Sequence, residues 1–486
     1  MKKPNPLEFT TDIAVAVADF YEYSMAHANI LEGIAGKQTV FDAILRSAPT
    51  NKVVGYFDHE GVKYEKLEKR KFLVNAGLEQ AAAYFLEGKG SKRLRDYLEN
   101  VEEIKDKRFL DWAENISFEG DVYAIPEGTV FFAKEHQLRV HERFEEAQVY
   151  ESLLVGTINH ETNIATTAND IAAVTNKILL DGSSRRTVPQ ESLMTSRAAR
   201  IGGFHASSNV AFGMNYDEKA GGTHGHSYVM IHPTEYSAFK AQAKASNDKV
   251  CFLLDTYNVK DAFESALKVA KEEKLGHFAF RIDSGDLLVQ ARWIRDEMKK
   301  RGYTRKEYAL VASDDLTAAK IEKLEKGGAD IDKYLVGTYV ANPPRPVTAV
   351  YKLSAYKNNG EMVYDQKAEW INEAKISEDR GKSTLPGIKQ VYRVSGNDGF
   401  YKKDIVAMEG ESLEKYLENG DSYEGLLVPI IKSGKQVYDF PTIDNLSDMR
   451  KEQLKRFKNI ANYEVIISDG VKNAQEKIVQ EHYGSA

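Results

Sequence analysis

Two loops of small residues and a series of aspartates carry most of the chemistry available to this chain. Gly202-Gly203-Phe204-His205-Ala206-Ser207-Ser208-Asn209 and Gly221-Gly222-Thr223-His224-Gly225-His226-Ser227 let backbone N–H groups approach an anion, and their hydroxyls add donors. Two such loops in succession suggest phosphate or diphosphate binding, although a pair of tight turns has the same composition. His226, set between Gly225 and Ser227, suits a proton shuttle, a nucleophile or a plain hydrogen-bonding partner, and His224 is its competitor. Asp181-Gly182-Ser183-Ser184-Arg185-Arg186 places two guanidinium groups side by side. Such a fork grips carboxylate or phosphate at two points, and without a ligand it is a solvated charge pair. Asp255, Asp283, Asp286 and Asp314 are hard carboxylates that suit Mg²⁺ if one rim gathers them beside a diphosphate. His160-Glu161 lacks the second histidine of a zinc-protease helix.

These residues need a frame, and the middle of the chain supplies one. Lys249–Tyr257 reads as a strand and Asp261–Gly276 as a helix with Phe263, Ala266, Leu267 and Ala270 on one face. His277–Ile282 is the next strand, followed by a helix with Leu287, Ala291, Ile294 and Met298 on one stripe that ends near Gly302. Tyr308–Ala312 is a third strand, residues 315–325 a third helix, and Lys333–Val340 a fourth strand. This alternation predicts βαβ units and a parallel sheet. Right-handed crossovers then bring every loop that follows a strand to one rim, where parallel barrels keep their active sites. Those loops are Asp255-Thr256-Tyr257, Asp283-Ser284-Gly285-Asp286, Ser313-Asp314-Asp315 and Gly337-Thr338. Each Asp or Ser alone also reads as a helix N-cap; four polar loops in a row favour a binding rim.

Elsewhere the pattern predicts an N-terminal helix within residues 12–30 and one or two helices over 145–181. Gly120–Ile125 and Thr129–Phe132 read as a hairpin turning at Pro126-Glu127-Gly128. Asn342-Pro343-Pro344-Arg345-Pro346 cannot continue a sheet and marks a domain boundary. Val347–Leu353 and Gln390–Val394 are short β-type runs, and the tail from 411 is charged and mostly helical in pattern.

Composition sets the outer bounds. The 486 residues, 42% hydrophobic and 29% charged, describe a soluble globular chain of two or three domains at roughly 100–200 residues each. Its core is large enough to need no disulfide or metal staple. A net charge of −7 argues against a nucleic-acid partner and leaves anions to be held by local cations and backbone N–H groups. The single cysteine, Cys251, lies in the apolar run Val250–Leu254 and reads as a small buried hydrophobe. One cysteine makes neither an internal disulfide nor a zinc cluster, which fits a reducing, cytoplasmic setting. No apolar signal core follows Met1-Lys2-Lys3-Pro4-Asn5-Pro6, and no stretch approaches the roughly 20 apolar residues of a membrane span.

Six segments together resemble, in order, the motifs of the nicotinate phosphoribosyltransferases. Asp19-Phe20-Tyr21-Glu22-Tyr23-Ser24-Met25 is similar to Asp-Leu-Tyr-x-x-Thr-Met, Gly120–Thr129 to Gly-x-x-x-Ala-x-x-Glu-Gly-Thr, and Ser207-Ser208-Asn209-Val210 to Thr-Ser-Asn-Val. Gly222–Ser227 is similar to Gly-Thr-x-x-His-Ser, Arg281–Leu287 to Arg-x-Asp-Ser-Gly-Asp-Leu, and Pro386-Gly387-Ile388-Lys389-Gln390 to Pro-Gly-x-Lys. The resemblance runs along nearly the whole chain.

It implies an irregular parallel α/β barrel over 146–345. A mixed α+β domain over 1–145, completed by 346–410, and a mostly helical segment over 411–486 would accompany it. It implies a homodimer with active sites between subunits, in which Tyr21 reaches a neighbour's pyridine ring. His226 matches a histidine phosphorylated by ATP, whose hydrolysis helps drive synthesis of nicotinate mononucleotide from nicotinate and phosphoribosyl diphosphate in NAD salvage. Arg185 and Arg186 match a pair near the nicotinate and phosphate sites. Asp255, Arg281 and Asp283 match positions lining the ribose and diphosphate, and Ser313, Gly337 and Thr338 match loops near the 5′-phosphate. Ser208, Asn209, Thr223, Ser284 and Gly285 join them as expected substrate contacts. Asp255, Asp283 and Asp314 are the expected Mg²⁺ ligands, and His226, Asp283 and Asp255 the expected catalytic groups.

Two departures stand out. Gly182-Ser183 occupies the place of a Phe-Gly pair whose ring stacks on the substrate, so that face is lost unless His160 or Tyr21 compensates. Leu335 replaces the first glycine of a Gly-x-Gly-Thr phosphate loop, so its Cβ pushes the phosphate away or the loop binds through Gly337 and Thr338 alone. Nicotinamide is the nearest rival substrate, but a carboxylate wants cations and the pair Arg185-Arg186 supplies them. A sugar-phosphate lyase or isomerase would need a strand-end lysine or carboxylate base, and no such lysine stands out. A non-catalytic nucleotide-binding relative is the third reading, kept open by Gly182 and Leu335.

Overall fold

The computed structural model describes residues 11–45, 72–246, 249–343, 347–357, 369–378 and 382–484. Pro344, Arg345 and Pro346 of the expected boundary, and the segment Met1–Pro6, lie outside the described residues. The chain divides into two compact units, residues 1–163 with 345–486, and residues 164–344.

The second unit is built on six strands, Ile178–Asp181, Ala206–Ser207, Cys251–Leu253, Phe278–Ile282, Tyr308–Ala312 and Lys333–Val336. They form one sheet, with Ala206–Ser207 at one end, then Ile178–Asp181, Lys333–Val336, Tyr308–Ala312 and Phe278–Ile282, and Cys251–Leu253 at the other end. Every neighbouring pair is parallel. The crossover helices Val259–Glu272, Leu287–Lys300 and Ala318–Lys326 follow the apolar spacing, with Phe263, Ala266, Leu267 and Ala270 buried on the first and Leu287, Ala291, Ile294 and Met298 on the second. Asn258, Asp286 and Thr317 cap their first turns by accepting backbone N–H bonds, worth about 1 kcal/mol each. Asp286 is thus the cap of the second crossover helix.

Register decides which side chains meet. Leu253, Arg281, Val311 and Lys333 are successive Cα partners across four strands and so share one face of the sheet. The opposite face, with Phe252, Phe280, Leu310 and Tyr334, is fully buried. The ring of Phe263 from the first crossover helix packs 5.1 Å from that of Phe280 on this face. A polar site is therefore confined to the Arg281 face and to the strand ends above it.

The helical reading of 145–181 is corrected at its end: the helices Phe144–Val149 and Glu151–Ala172 give way to the strand Ile178–Asp181. A short apolar run such as Ile-Leu-Leu carries no decisive period, and pairing with Lys333–Val336 settles it. The last strand stops at Val336, and Gly337 opens the short helix Thr338–Ala341.

The first unit is mixed α/β with mainly antiparallel sheets, in which Glu464–Ile467 joins Tyr401–Met408 in parallel. Its largest sheet has seven strands, in the order Trp370–Asn372, Val350–Lys357, Gln38–Ile44, His136–Arg143, Asp121–Ala124, Val428–Lys432 and Lys435–Gln436. The expected hairpin at Pro126-Glu127-Gly128 does not form. Asp121–Ala124 pairs with His136–Arg143 and Val428–Lys432, whereas Val130–Phe131 pairs with Leu73–Val74. The Glu127 carboxylate instead accepts the N–H groups of Gly77 and Leu78 at 2.7 and 3.0 Å, at the start of the helix Leu78–Glu87. The N-terminal helix is broken, with Thr11–Ala14 separate from Phe20–Glu32. The tail is less helical than expected. Beside the helices Ile443–Lys455 and Asp469–Tyr483 it contributes strands to two sheets, because short β-branched runs such as Val465-Ile466-Ile467 find a partner in Tyr401–Met408.

Candidate active site

The rim of the parallel sheet assembles around Arg281. From the end of Phe278–Ile282 its guanidinium reaches four groups. Nε donates to Ser313 Oγ at 2.8 Å, and Nη1 to Thr223 Oγ1 at 2.7 Å and the His224 carbonyl at 3.2 Å. Nη2 lies 3.0 Å from Asp283 Oδ2. Three separate loops are thereby pinned to one buried cation. His226, at the start of the short helix His226–Met230, places Nε2 3.4 Å from the same Asp283 oxygen and Nδ1 3.1 Å from Thr256 Oγ1. Its side chain is 39% exposed and that of Asp283 22%, so the pair is open to a ligand. Asp255 accepts from the Asp283 N–H at 3.2 Å and the Ser284 hydroxyl at 2.5 Å, both through Oδ2, and its Oδ1 is buried with no partner among the described residues.

Electrostatics separates the two histidines. His224 is buried, its Nε2 accepts the Leu253 N–H at 3.3 Å, and its ring lies against Tyr228 and Phe239. Burial, with the charges of Arg281 and His226, pushes it down to about 4, so it is neutral and structural near neutral pH. His226 is the histidine that faces solvent and a carboxylate. Burial alone would raise the Asp283 carboxyl. The Ser313 hydroxyl, the Arg281 guanidinium and His226 outweigh it and hold Asp283 below the usual carboxylate value. The Cys251 thiol, raised to about 12 by burial, is unreactive.

Among the described residues no group of three or more His, Cys, Asp or Glu is arranged to hold a metal ion. Asp283 is engaged by Arg281 and His226, and Asp314 pairs with Lys320 at 3.6 Å, so Asp255, Asp283 and Asp314 form no three-ligand cage. The orphaned Asp255 Oδ1 still fits a hard cation that arrives with diphosphate oxygens and water as its other ligands.

The nicotinate phosphoribosyltransferase (NAPRTase) N-terminal domain family matches residues 17–159. Nicotinate phosphoribosyltransferase of Bacillus subtilis is 32% identical over 83% of this chain and 78% of its own length. Nicotinate phosphoribosyltransferase pncB1 of Mycobacterium tuberculosis is 33% identical over 88% of both chains. The chain belongs to the nicotinate phosphoribosyltransferase family. Its fold is similar to the crystal structure of human nicotinic acid phosphoribosyltransferase, with a TM-score of 0.75 at 22% identity over 95% of this chain and 99% of that one. It is also similar to nicotinate-nucleotide pyrophosphorylase from Pyrococcus furiosus, with a TM-score of 0.69 at 24% identity over 94% and 100%.

Within this family member the remaining expected residues divide by what they touch. Arg185 and Arg186 are exposed, and their guanidinium groups make no ion pair among the described residues. The Arg186 backbone is held by Ser183 O and Asn342 Nδ2. Asn209 is spent structurally, capping the helix Val210–Tyr216 and donating to Ser192 O and Ser196 Oγ. Ser208 N–H donates to the Asp181 carbonyl at 2.8 Å. Gly285 turns at φ +74°, and Thr338 Oγ1 donates to Asp315 Oδ1 at 3.5 Å. Tyr21 belongs to the other unit, where its half-exposed ring directs its hydroxyl to Glu151 at 3.5 Å.

The two departures from the family pattern prove to be neighbours. A Cβ on Gly182 would stand 3.0 Å from Leu335 Cδ1, and one on Gly337 would stand 2.8 Å from the Gly182 carbonyl. Leu335 therefore lies over Gly182 and does not displace Gly337. Sequence reasoning placed Thr256 in a rim loop and Asp181 before the arginine pair but gave neither a role. Asp181, fully buried, accepts from Ser183 N–H at 2.9 Å and Ser207 Oγ at 2.6 Å and so ties two rim loops together. Both sit at or just after a strand end, which was the available signal.

Among the described residues no helix is long and apolar enough to cross a membrane.

Proposed function

We propose that this chain transfers 5-phosphoribose from phosphoribosyl diphosphate to nicotinate, giving nicotinate mononucleotide and diphosphate in NAD salvage. ATP is hydrolysed alongside through a phosphohistidine at His226. The observation that carries this reading is the open His226–Asp283–Arg281 cluster on a rim that also bears two guanidiniums without an ion pair among the described residues.

The chemistry suits those groups. The pyridine nitrogen has a free lone pair, so the C–N bond forms without a strong base as the bond from ribose C1 to diphosphate breaks. Positive charge grows on the sugar and negative charge on the leaving group. Arg281, held by Ser313 and Thr223, is a preorganised cation for the diphosphate, and Asp255 and Asp283 stabilise the ribosyl cation. Magnesium, held by Asp255 and the substrate's own oxygens, would neutralise part of the diphosphate charge. Arg185 and Arg186 receive the nicotinate carboxylate or a phosphate in two-point fashion, which favours nicotinate over nicotinamide. Ser313, Gly337 and Thr338 receive the 5′-phosphate, with Ser208, Thr223, Ser284 and Gly285 lining the donor. We extend the reading to an irregular barrel, to a cytoplasmic homodimer, and to Tyr21 as the ring offered to a neighbouring subunit.

The test is to incubate the protein with nicotinate, phosphoribosyl diphosphate, Mg²⁺ and ATP and follow mononucleotide by mass, with nicotinamide and His226→Ala in parallel. Nicotinate should turn over far better than nicotinamide, and the variant should lose the stimulation by ATP. Equal or reversed rates would reject nicotinate, and no product from either pyridine would move the assignment to a binding role.

A further inference from the structure

The His226 ring is gripped at both nitrogens by different loops. Nε2 faces Asp283 Oδ2 at 3.4 Å, from the loop after Phe278–Ile282, and Nδ1 faces Thr256 Oγ1 at 3.1 Å, from the loop after Cys251–Leu253. Asp283 Oδ2 also accepts the Arg281 guanidinium at 3.0 Å, so this oxygen is an acceptor and Nε2 must present its N–H to it. In the neutral ring Nδ1 then carries the lone pair, and the Thr256 hydroxyl is the donor that meets it. One contact at one nitrogen would leave the imidazole free to rotate about its Cβ–Cγ bond. Two contacts from opposite sides fix both its plane and its tautomer.

We infer that Thr256 is a positioning residue, which together with Asp283 holds His226 in one orientation as the Nε2–H tautomer. Its importance for turnover rests on His226 being the ATP-coupled histidine, whereas its effect on the ring does not. A neutral hydrogen bond of this kind contributes about 0.5–1.5 kcal/mol, so its loss should lower an orientation-dependent rate roughly twofold to tenfold.

The test uses the full chain labelled with ¹⁵N-histidine, at a pH where His226 is neutral, with its signals identified by their loss in His226→Gln. The wild type should show the Nε2–H form. Thr256→Val should show a mixture of tautomers and lose roughly twofold to tenfold of the gain that ATP gives to nicotinate mononucleotide formation. Thr256→Ser should restore both. An Nδ1–H form in the wild type, or Thr256→Val with unchanged tautomer and unchanged ATP gain, overturns the inference. Should the wild type make no nicotinate mononucleotide, the proposed reaction falls. The wild-type spectrum still decides the placement of Thr256, even if Thr256→Val fails to fold.

Discussion

Among the described residues two clusters of the same residue types differ in whether a ligand can reach them. In the first unit Asp42, His136, Arg139 and Lys389 meet in the interior, none more than 4% exposed. Lys389 Nζ lies 2.8 Å from Asp42 Oδ2 and donates to the carbonyls of Leu385, Pro386 and Gly387 at 3.0, 3.2 and 2.6 Å. The Lys389 carbonyl in turn accepts from His136 Nε2 at 3.0 Å and Arg139 Nη1 at 2.7 Å. On the rim of the parallel sheet Asp283, His226 and Arg281 make a similar triad. Both clusters keep buried polar atoms without a hydrogen-bond partner among the described residues, His136 Nδ1 in the interior and Asp255 Oδ1 on the rim, but the His226 side chain is 39% exposed and His136 is sealed. Carboxylate, imidazole and cation in contact are therefore no sign of catalysis by themselves. What marks the rim is access, because a ligand can meet the His226 imidazole and cannot reach that of His136.

Removing the cation should damage the two clusters in different currencies. Lys389→Met would strand Asp42 and three carbonyls in a dry interior, and breaking such a buried pair costs about 3–5 kcal/mol of stability. Chemical denaturation should show the loss, and a shift under 1 kcal/mol would mean that water enters the cluster. Arg281→Ala should act mainly on turnover. It removes a preorganised donor, and kcat/KM should fall roughly 10²–10³-fold, or about 2.7–4 kcal/mol. A loss confined to stability would reduce the rim to a second structural cluster.

Acid sharpens the same contrast. Burial pushes His136 down to about 4, from an ordinary value of 6.5. The folded state excludes a proton that the unfolded chain binds below 6.5. Stability from the neutral ring is thus fully present above that pH and is lost as pH falls towards 4. His136→Gln should flatten the pH dependence of unfolding between 6.5 and 4, and an unaltered slope would show that His136 is not held neutral.

Legibility in the sequence followed the same division. The alternating segment 249–336 disclosed its strands and helices because each crossover helix has one apolar stripe and each buried strand is short and bounded by polar loops. The strand Ile178–Asp181 stayed hidden, since three apolar residues after a helix have no period of their own and only pairing with Lys333–Val336 declares them. Asp255, Asp283 and Ser313 were readable as rim residues from their places after strands, His226 from its glycine-rich loop and Arg281 from the family resemblance, and the structure brings them together. Motifs of equal clarity proved structural. Glu127 serves the Leu78–Glu87 helix, and Lys389 ties down a turn in which Gly387 has φ +84° and no room for a Cβ beside Met408 Sδ. Type and order identify such residues, but only burial and partners assign the work.

The smallest expected effect tests how two departures from the family pattern depend on each other. Leu335 Cδ1 stands where a side chain on Gly182 would begin, so the two positions share one volume at the ends of neighbouring strands. Gly182→Phe alone should be poorly tolerated, because its Cβ already meets Leu335 at 3.0 Å and the ring has no place to go. Overpacking of this kind costs about 1–3 kcal/mol. Leu335→Gly alone removes an apolar wall and should raise the KM for nicotinate severalfold, with kcat changed less. The double variant should recover stability over Gly182→Phe by roughly 0.5–3 kcal/mol of coupling, measured by a double-mutant cycle. Coupling near zero would mean that the backbone yields at Gly182 and that the two departures arose for separate reasons.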